Sequence, residues 1–190
     1  MKIMQPRSLA FAAFSAALLF APAARAEIVK MAVPDASGLK LFWWPKLPLL
    51  AGWHQDPGAS QAYSVNALVP DGQSFSDADT VMLGKANYKP NTPALKTVQQ
   101  LVDDDIKVTV QQSSGVQVHK QADIADADGK AFTVYDFAPA AATGVWEAVA
   151  YGEEGDYFLI FMMSARSKNG FDKNLPDFTR LVKSYAEKLP

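Results

Sequence analysis

The stretch that most restricts how this chain can fold is Tyr157–Met163, seven apolar residues in a row, launched from the turn sequence Glu153–Asp156. A strand with one wet face alternates apolar and polar side chains. A run without alternation fits a strand covered on both faces. Seven residues fall far short of the roughly 20 that a membrane-spanning helix needs. The run therefore predicts a central strand, and the rest of the chain must supply cover for two faces.

Two segments carry the period of an amphipathic helix. Leu95, Val98, Leu101, Val102 and Ile106 lie on one helical face, and Lys96, Gln100, Asp103 and Asp104 fall mostly on the other. Thr92 suits the N-cap and Pro93 the first helical position, so a helix is predicted from Pro93 to about Val110. Near the C-terminus, Leu175, Phe178, Leu181, Val182, Tyr185 and Leu189 form a second stripe, with Asn174 or Asp172 available as its cap. The two helices can cover opposite faces of one sheet. Alternatively they pair on one side while a proline-rich segment covers the other.

The remaining segments read as strands, turns and one extended loop. Asp126–Gly129 separates two alternating runs, and Glu153–Gly155 separates another two; both are hairpin signals, with a glycine free to take positive φ. Leu39–Trp44, Gln61–Pro70 and Thr80–Lys89 read as strands, the last with Gly84 as a weak point or bulge. A short helical turn is expected at Ser76–Asp79. Glu27–Gly38, broken by Pro34 and Gly38, reads as a mixed lead-in. Pro45, Pro48 and Pro57 forbid a regular helix between them, so that segment is expected to cross the core as a loop and bury Leu47, Leu49 and Leu50.

The first 26 residues look like a leader rather than part of the fold. Lys2 and Arg7 precede the apolar run Leu9–Ala21, and Ala24-Arg25-Ala26 ends in the small residues of a signal-peptide cleavage site. Cleavage after Ala26 is expected, with a periplasmic or secreted mature protein, no stable membrane insertion, and one domain over residues 27–190. The leader holds three basic and no acidic residues, so its loss moves the net charge from −2 to about −5. That balance argues against nucleic acid as a partner. The chain has no Cys, which removes disulfides, thiol catalysis and thiolate ligation.

Chemistry-bearing residues are sparse. His54 and His119 are the only histidines, and no zinc spacing exists, so no metal site and no cofactor are expected. His54 beside Asp56 is a candidate general base for a hydrolase, although a loop histidine that only forms a hydrogen bond is the simpler reading. His119 reads as an exposed strand residue. Asp103–Asp105 cannot converge on one ion, because successive helical residues point about 100° apart, and they read as a solvated face. Glu153 and Glu154 are expected at a turn tip, both in water. Enzymatic activity is disfavoured on these grounds. The distinctive feature is aromatic: Trp43, Trp44 and Trp53 lie within eleven residues beside the prolines, either as core packing or as an exposed patch that docks another protein. Trp43 and Trp44, adjacent on one strand, must point to opposite faces. The candidate binding residues are thus Trp43, Trp44, Trp53, His54 and Asp56.

The order of the C-terminal half, a strand near Trp146, the turn Tyr151–Phe158, a buried strand and then Phe171–Tyr185, resembles the PsbP-like fold. The earlier order, Leu47–Asp56 followed by a strand, a helix and further strands, agrees with it. That group includes extrinsic photosystem subunits and a Ran-binding import factor. The resemblance implies an α+β domain, a mainly antiparallel sheet covered by helices as an α/β/α sandwich, and binding or assembly roles. It transfers no residue role. The expected function is a non-enzymatic binding or assembly module acting on an envelope protein. The alternatives are a small-ligand carrier with a pocket between sheet and helix, and a hydrolase using His54 and Asp56.

Overall fold

The computed structural model describes residues 28–35, 38–141 and 143–186. The expected leader at 1–26 and Leu189 lie outside them. In chain order the elements are β1 (Ile28–Asp35), β2 (Gly38–Pro45), β3 (Trp53–Gln55), α1 (Pro57–Tyr63), β4 (Asn66–Pro70), β5 (Thr80–Tyr88), α2 (Val98–Gln112), β6 (Gln117–Lys120), β7 (Ile124–Ala125), β8 (Ala131–Ala138), β9 (Trp146–Glu154), β10 (Tyr157–Ala165) and α3 (Lys168–Ser184). The main sheet runs β1-β2-β5-β10-β9-β8-β6, and every described pairing is antiparallel. The chain is a single α+β domain.

The unbroken apolar run is the central strand. β10 pairs along all nine of its residues with β5 on one edge and β9 on the other. Its alternate side chains enter two different cores. Leu159, Phe161 and Met163 join Met82, Ala150, Phe132 and the α3 residues Phe171, Phe178 and Leu181. Phe158, Ile160 and Met162 face the other way, with Val149, Tyr151, Phe137 and the α2 residues Leu101 and Val102. The helices therefore cover opposite faces, the first of the two arrangements open to the sequence.

Both hairpins form where the glycines fall. Gly129 and Gly155 take φ of +79° and +52° in the β7–β8 and β9–β10 turns. Asp126 steadies the first turn by accepting from the backbone of Asp128 and Lys130 through one carboxylate oxygen.

Several boundaries differ from the sequence reading. The expected lead-in is β1, zipped to β2 from Ile28↔Pro45 to Asp35↔Gly38. The expected strand at 61–70 is strand only from Asn66. Its first part ends α1, which starts because Asp56 caps it and Pro57 fills a first-turn position, and stops at Ser64 in the left-handed region. α2 begins five residues later than expected. Thr97, not Thr92, is its cap, accepting from the Gln100 amide at 3.2 Å, while Pro90 sits in a separate 3-10 turn at Lys89–Asn91. α3 is capped by Ser167 rather than Asn174 or Asp172, and Pro176 lies within it.

The proline-rich loop crosses the core as expected, burying Leu50 and half-burying Leu47, but Leu49 is fully exposed. Gly84 is not a bulge. It pairs in register with Phe161 and Asn66, and the Leu47 side chain lies where its Cβ would be, 2.9 Å from that position. The glycine lets the loop close down on the sheet.

Candidate functional site

One edge of β5 is shared between two strands. Its residues Met82–Gly84 pair with β4, and Ala86 pairs with Trp43, the single ladder pair that joins β2 to the sheet. The side-chain amide of Asn66 donates to the Pro45 carbonyl at 3.1 Å and ties the two strands at the changeover. Beyond Trp43, β1 and β2 pair only with each other among the described residues, so they form an arm running past the sheet.

The period of two along β2 puts Leu39, Leu41 and Trp43 on one face of that arm. Leu39 and Leu41 are 71% and 43% exposed. Trp43 is half-buried at the root, where its ring lies 5.4 Å from Tyr88 and 6.3 Å from Tyr157. The Lys30 ammonium stands 5.9 Å from the indole. Lys40 and Lys46 lie at exposed positions of the same segment.

The other sequence-nominated residues do not join this stripe. Trp44, on the opposite face, is buried. Trp53 is buried beneath the proline-rich loop, and its indole N–H donates to Asp177 of α3 at 2.9 Å, which makes it a clamp between loop and helix. Asp56 accepts from the backbone N–H groups of Ala59 and Phe75, which hold its carboxyl below the ordinary range, the Ala59 bond foremost. The carboxylate at ion-pairing distance from His54 is Asp71, 3.4 Å from Nδ1 and itself exposed. His119 is exposed on β6.

A second concave region lies between the C-terminal end of α2 and the sheet. It encloses about 560 Å³, and its walls include Val116, Phe137, Pro139 and Val145. Glu147 and Ser164, directly paired across β9 and β10, line it. Burial pushes the Glu147 carboxyl up; the hydrogen bond from Ser164 opposes this, and nearby Asp105 adds to it. Tyr151, buried under α2, donates its phenolic hydroxyl to Asp105, and burial with this neighbour pushes the phenol far up. Asp105 is thus turned toward the sheet, unlike exposed Asp103 and Asp104.

Glu154 also departs from the sequence reading. It is buried and accepts from the Tyr185 hydroxyl at 2.5 Å, while Glu153 is exposed and paired with Lys89 at 2.9 Å. Among the described residues no group of three His, Cys, Asp or Glu is placed to hold a metal ion. No described helix is long and apolar enough to cross a membrane.

No family profile matches this chain. No curated protein matches it. Solved structures do. A protein of unknown function from Pseudomonas aeruginosa is similar at a TM-score of 0.48 and 11% identity, over 83% of this chain and 96% of its own. The cyanobacterial PsbP of Synechocystis sp. PCC 6803 is similar at 0.44 and 15%, over 82% of this chain and 90% of its own. The Ran-binding protein Mog1p of Saccharomyces cerevisiae is similar at 0.40 and 10%, over 85% and 87%.

Proposed function

We propose that the chain is an exported, non-enzymatic binding or assembly module, and that the β1–β2 arm is its docking element for another protein of the cell envelope. One observation carries this reading: Leu39, Leu41 and Trp43 share a face of a two-stranded arm that meets the sheet through one ladder pair. An exposed apolar stripe on a projecting element costs solubility and is kept where a partner covers it. The half-buried Trp43, stacked at the root, has the size and rigidity of an interface anchor. Lys30, exposed on the arm beside the Trp43 ring, suits a partner with an acidic rim around an apolar centre. The exported state and cleavage near Ala26 belong to the same proposal; N-terminal sequencing of the native protein tests them.

The docking test places a photo-crosslinking residue at position 41 in cells. Crosslinks to one dominant envelope protein are expected, and they should disappear with Leu39→Ser while the thermal midpoint stays within about 2 °C, as for a surface change. Crosslinks spread over many proteins, or unaffected by Leu39→Ser, overturn the assignment.

A second reading, a small-ligand carrier, rests on the α2 cleft. There a half-buried acid, Glu147, stands among apolar walls, the composition of a small-molecule site. Mass spectrometry of the natively purified protein tests it. A bound molecule lost on Val145→Trp, which narrows the mouth, is the expected result under that reading.

A further inference from the structure

Among the described wall residues of the α2 cleft, Glu147 alone is ionisable, and none is Lys, Arg or His. The period of two along β9 aims its side chain at the cleft. Val149 and Tyr151 enter the core under α2, and Glu147 precedes them on the same face of the strand. It is half-buried, so part of its surface is open to whatever fills the space. Its ladder partner Ser164, also half-buried, follows Met162 on the α2 face of β10 in the same way.

A second acid stands behind it. Asp105 and Thr109 are one turn apart on α2. Thr109 lines the cleft, and Asp105 accepts the Tyr151 hydroxyl beside it. The phenol gives Asp105 a proton to share and no positive charge. The inner end of the cleft is therefore negative, and no basic side chain on its wall offsets this.

The sign of that charge decides what the cleft can cover. A neutral ligand seated against Glu147 strips water from a carboxylate and returns nothing of like strength. An anion adds repulsion. A cation replaces the lost water with an ion pair. The walls Val116, Phe137, Pro139 and Val145 are apolar and suit the body of such a ligand. A cavity of about 150 Å³ takes benzene, so the 560 Å³ here has room for two fused rings. We propose that the α2 cleft binds organic cations, with an ammonium on Glu147 and a two-ring apolar body against Phe137 and Val145. This rests on the carrier reading, whose site it shares, and is independent of the arm.

The test titrates the purified protein at about pH 8 with naphthylmethylamine, naphthalenemethanol and naphthoate, following amide NMR signals. The three carry one ring system as a cation, a neutral molecule and an anion. The amine is expected to saturate with a Kd on the order of 0.1–1 mM and to move the signals of Val145 and Ser164. It should bind at least about tenfold more tightly than the alcohol, with naphthoate weakest. Glu147→Gln keeps the shape of the side chain and should bring amine and alcohol within about twofold of each other. Should that variant fail to fold, the order of the three ligands on the parent protein decides. Amine and alcohol that bind the parent equally, or a preference that survives Glu147→Gln, overturn the cation assignment and leave the carrier reading standing. No saturable binding of any of the three overturns both.

Discussion

Gly152 lies opposite Leu159 in the β9–β10 ladder, and the Phe132 ring occupies the space its side chain would take, 2.5 Å from the Cβ position. That ring stacks on Phe161 at 5.3 Å and meets Tyr185 edge-on at 6.2 Å, so moving it disturbs two further core rings. Gly152→Ala is expected to cost about 1–3 kcal/mol by overpacking, read as a lower urea midpoint at unchanged slope. Glu147 gives a residue-scale prediction of a different kind. Burial raises its folded-state pKa above the unfolded value of about 4.5. The folded chain then holds the proton more tightly, and stability falls as pH rises from the unfolded pKa through the folded one. Glu147→Gln should therefore melt higher than the parent at about pH 8, with the gap closing toward about pH 4, where both side chains are neutral. A gap that persists unchanged at acid pH would refute the assignment. The inward turn of Asp105 and the burial of Glu154 are not legible in the sequence, because their partners Tyr151 and Tyr185 lie 46 and 31 positions away.

At the scale of elements, the legible parts were those whose signal is local. The two glycine turns fixed both C-terminal hairpins, and the lack of alternation in Tyr157–Met163 identified the central strand. The α2 boundary differs from the expected one because the Thr92-Pro93 pair mimics a helix start, whereas the chain first completes a 3-10 turn and then caps at Thr97. A paired substitution separates the two: Thr97→Ala should lose about 1 kcal/mol and Thr92→Ala much less, by equilibrium urea unfolding. In the first half of Gln61–Pro70 the alternation of Ala62, Ser64 and Asn66 is a coincidence, and the Asp56 cap and Pro57 decide for helix. β1 is hidden in the sequence because Pro34 and Gly38 look disruptive; on an edge strand a proline forfeits little, and the ladder runs through it. Of the candidate tryptophans, the sequence named the right segment without showing which ring was structural. Trp53→Phe, which deletes the bond to Asp177 and part of a buried ring, should cost about 2–3 kcal/mol, while Trp43→Phe should be milder because Trp43 is only half-buried and the exchange keeps an aromatic ring against Tyr88.

Taken whole, the molecule is a sheet with two cores, each closed by one helix, and it is unequally anchored along its width. The centre is tied on both sides by nine-residue ladders, the arm by one ladder pair, the Asn66–Pro45 hydrogen bond and a tryptophan. Such a gradient makes the chain a clock with two rates. Amide protons of the arm should exchange with deuterated solvent through detachment at Trp43, at a pace indifferent to mild denaturant. Those of β10 should exchange only when both cores open, and their protection should fall steeply as urea is added. A partner seated on the arm would slow the first clock and leave the second untouched, so solvent exchange alone would reveal docking and where it acts.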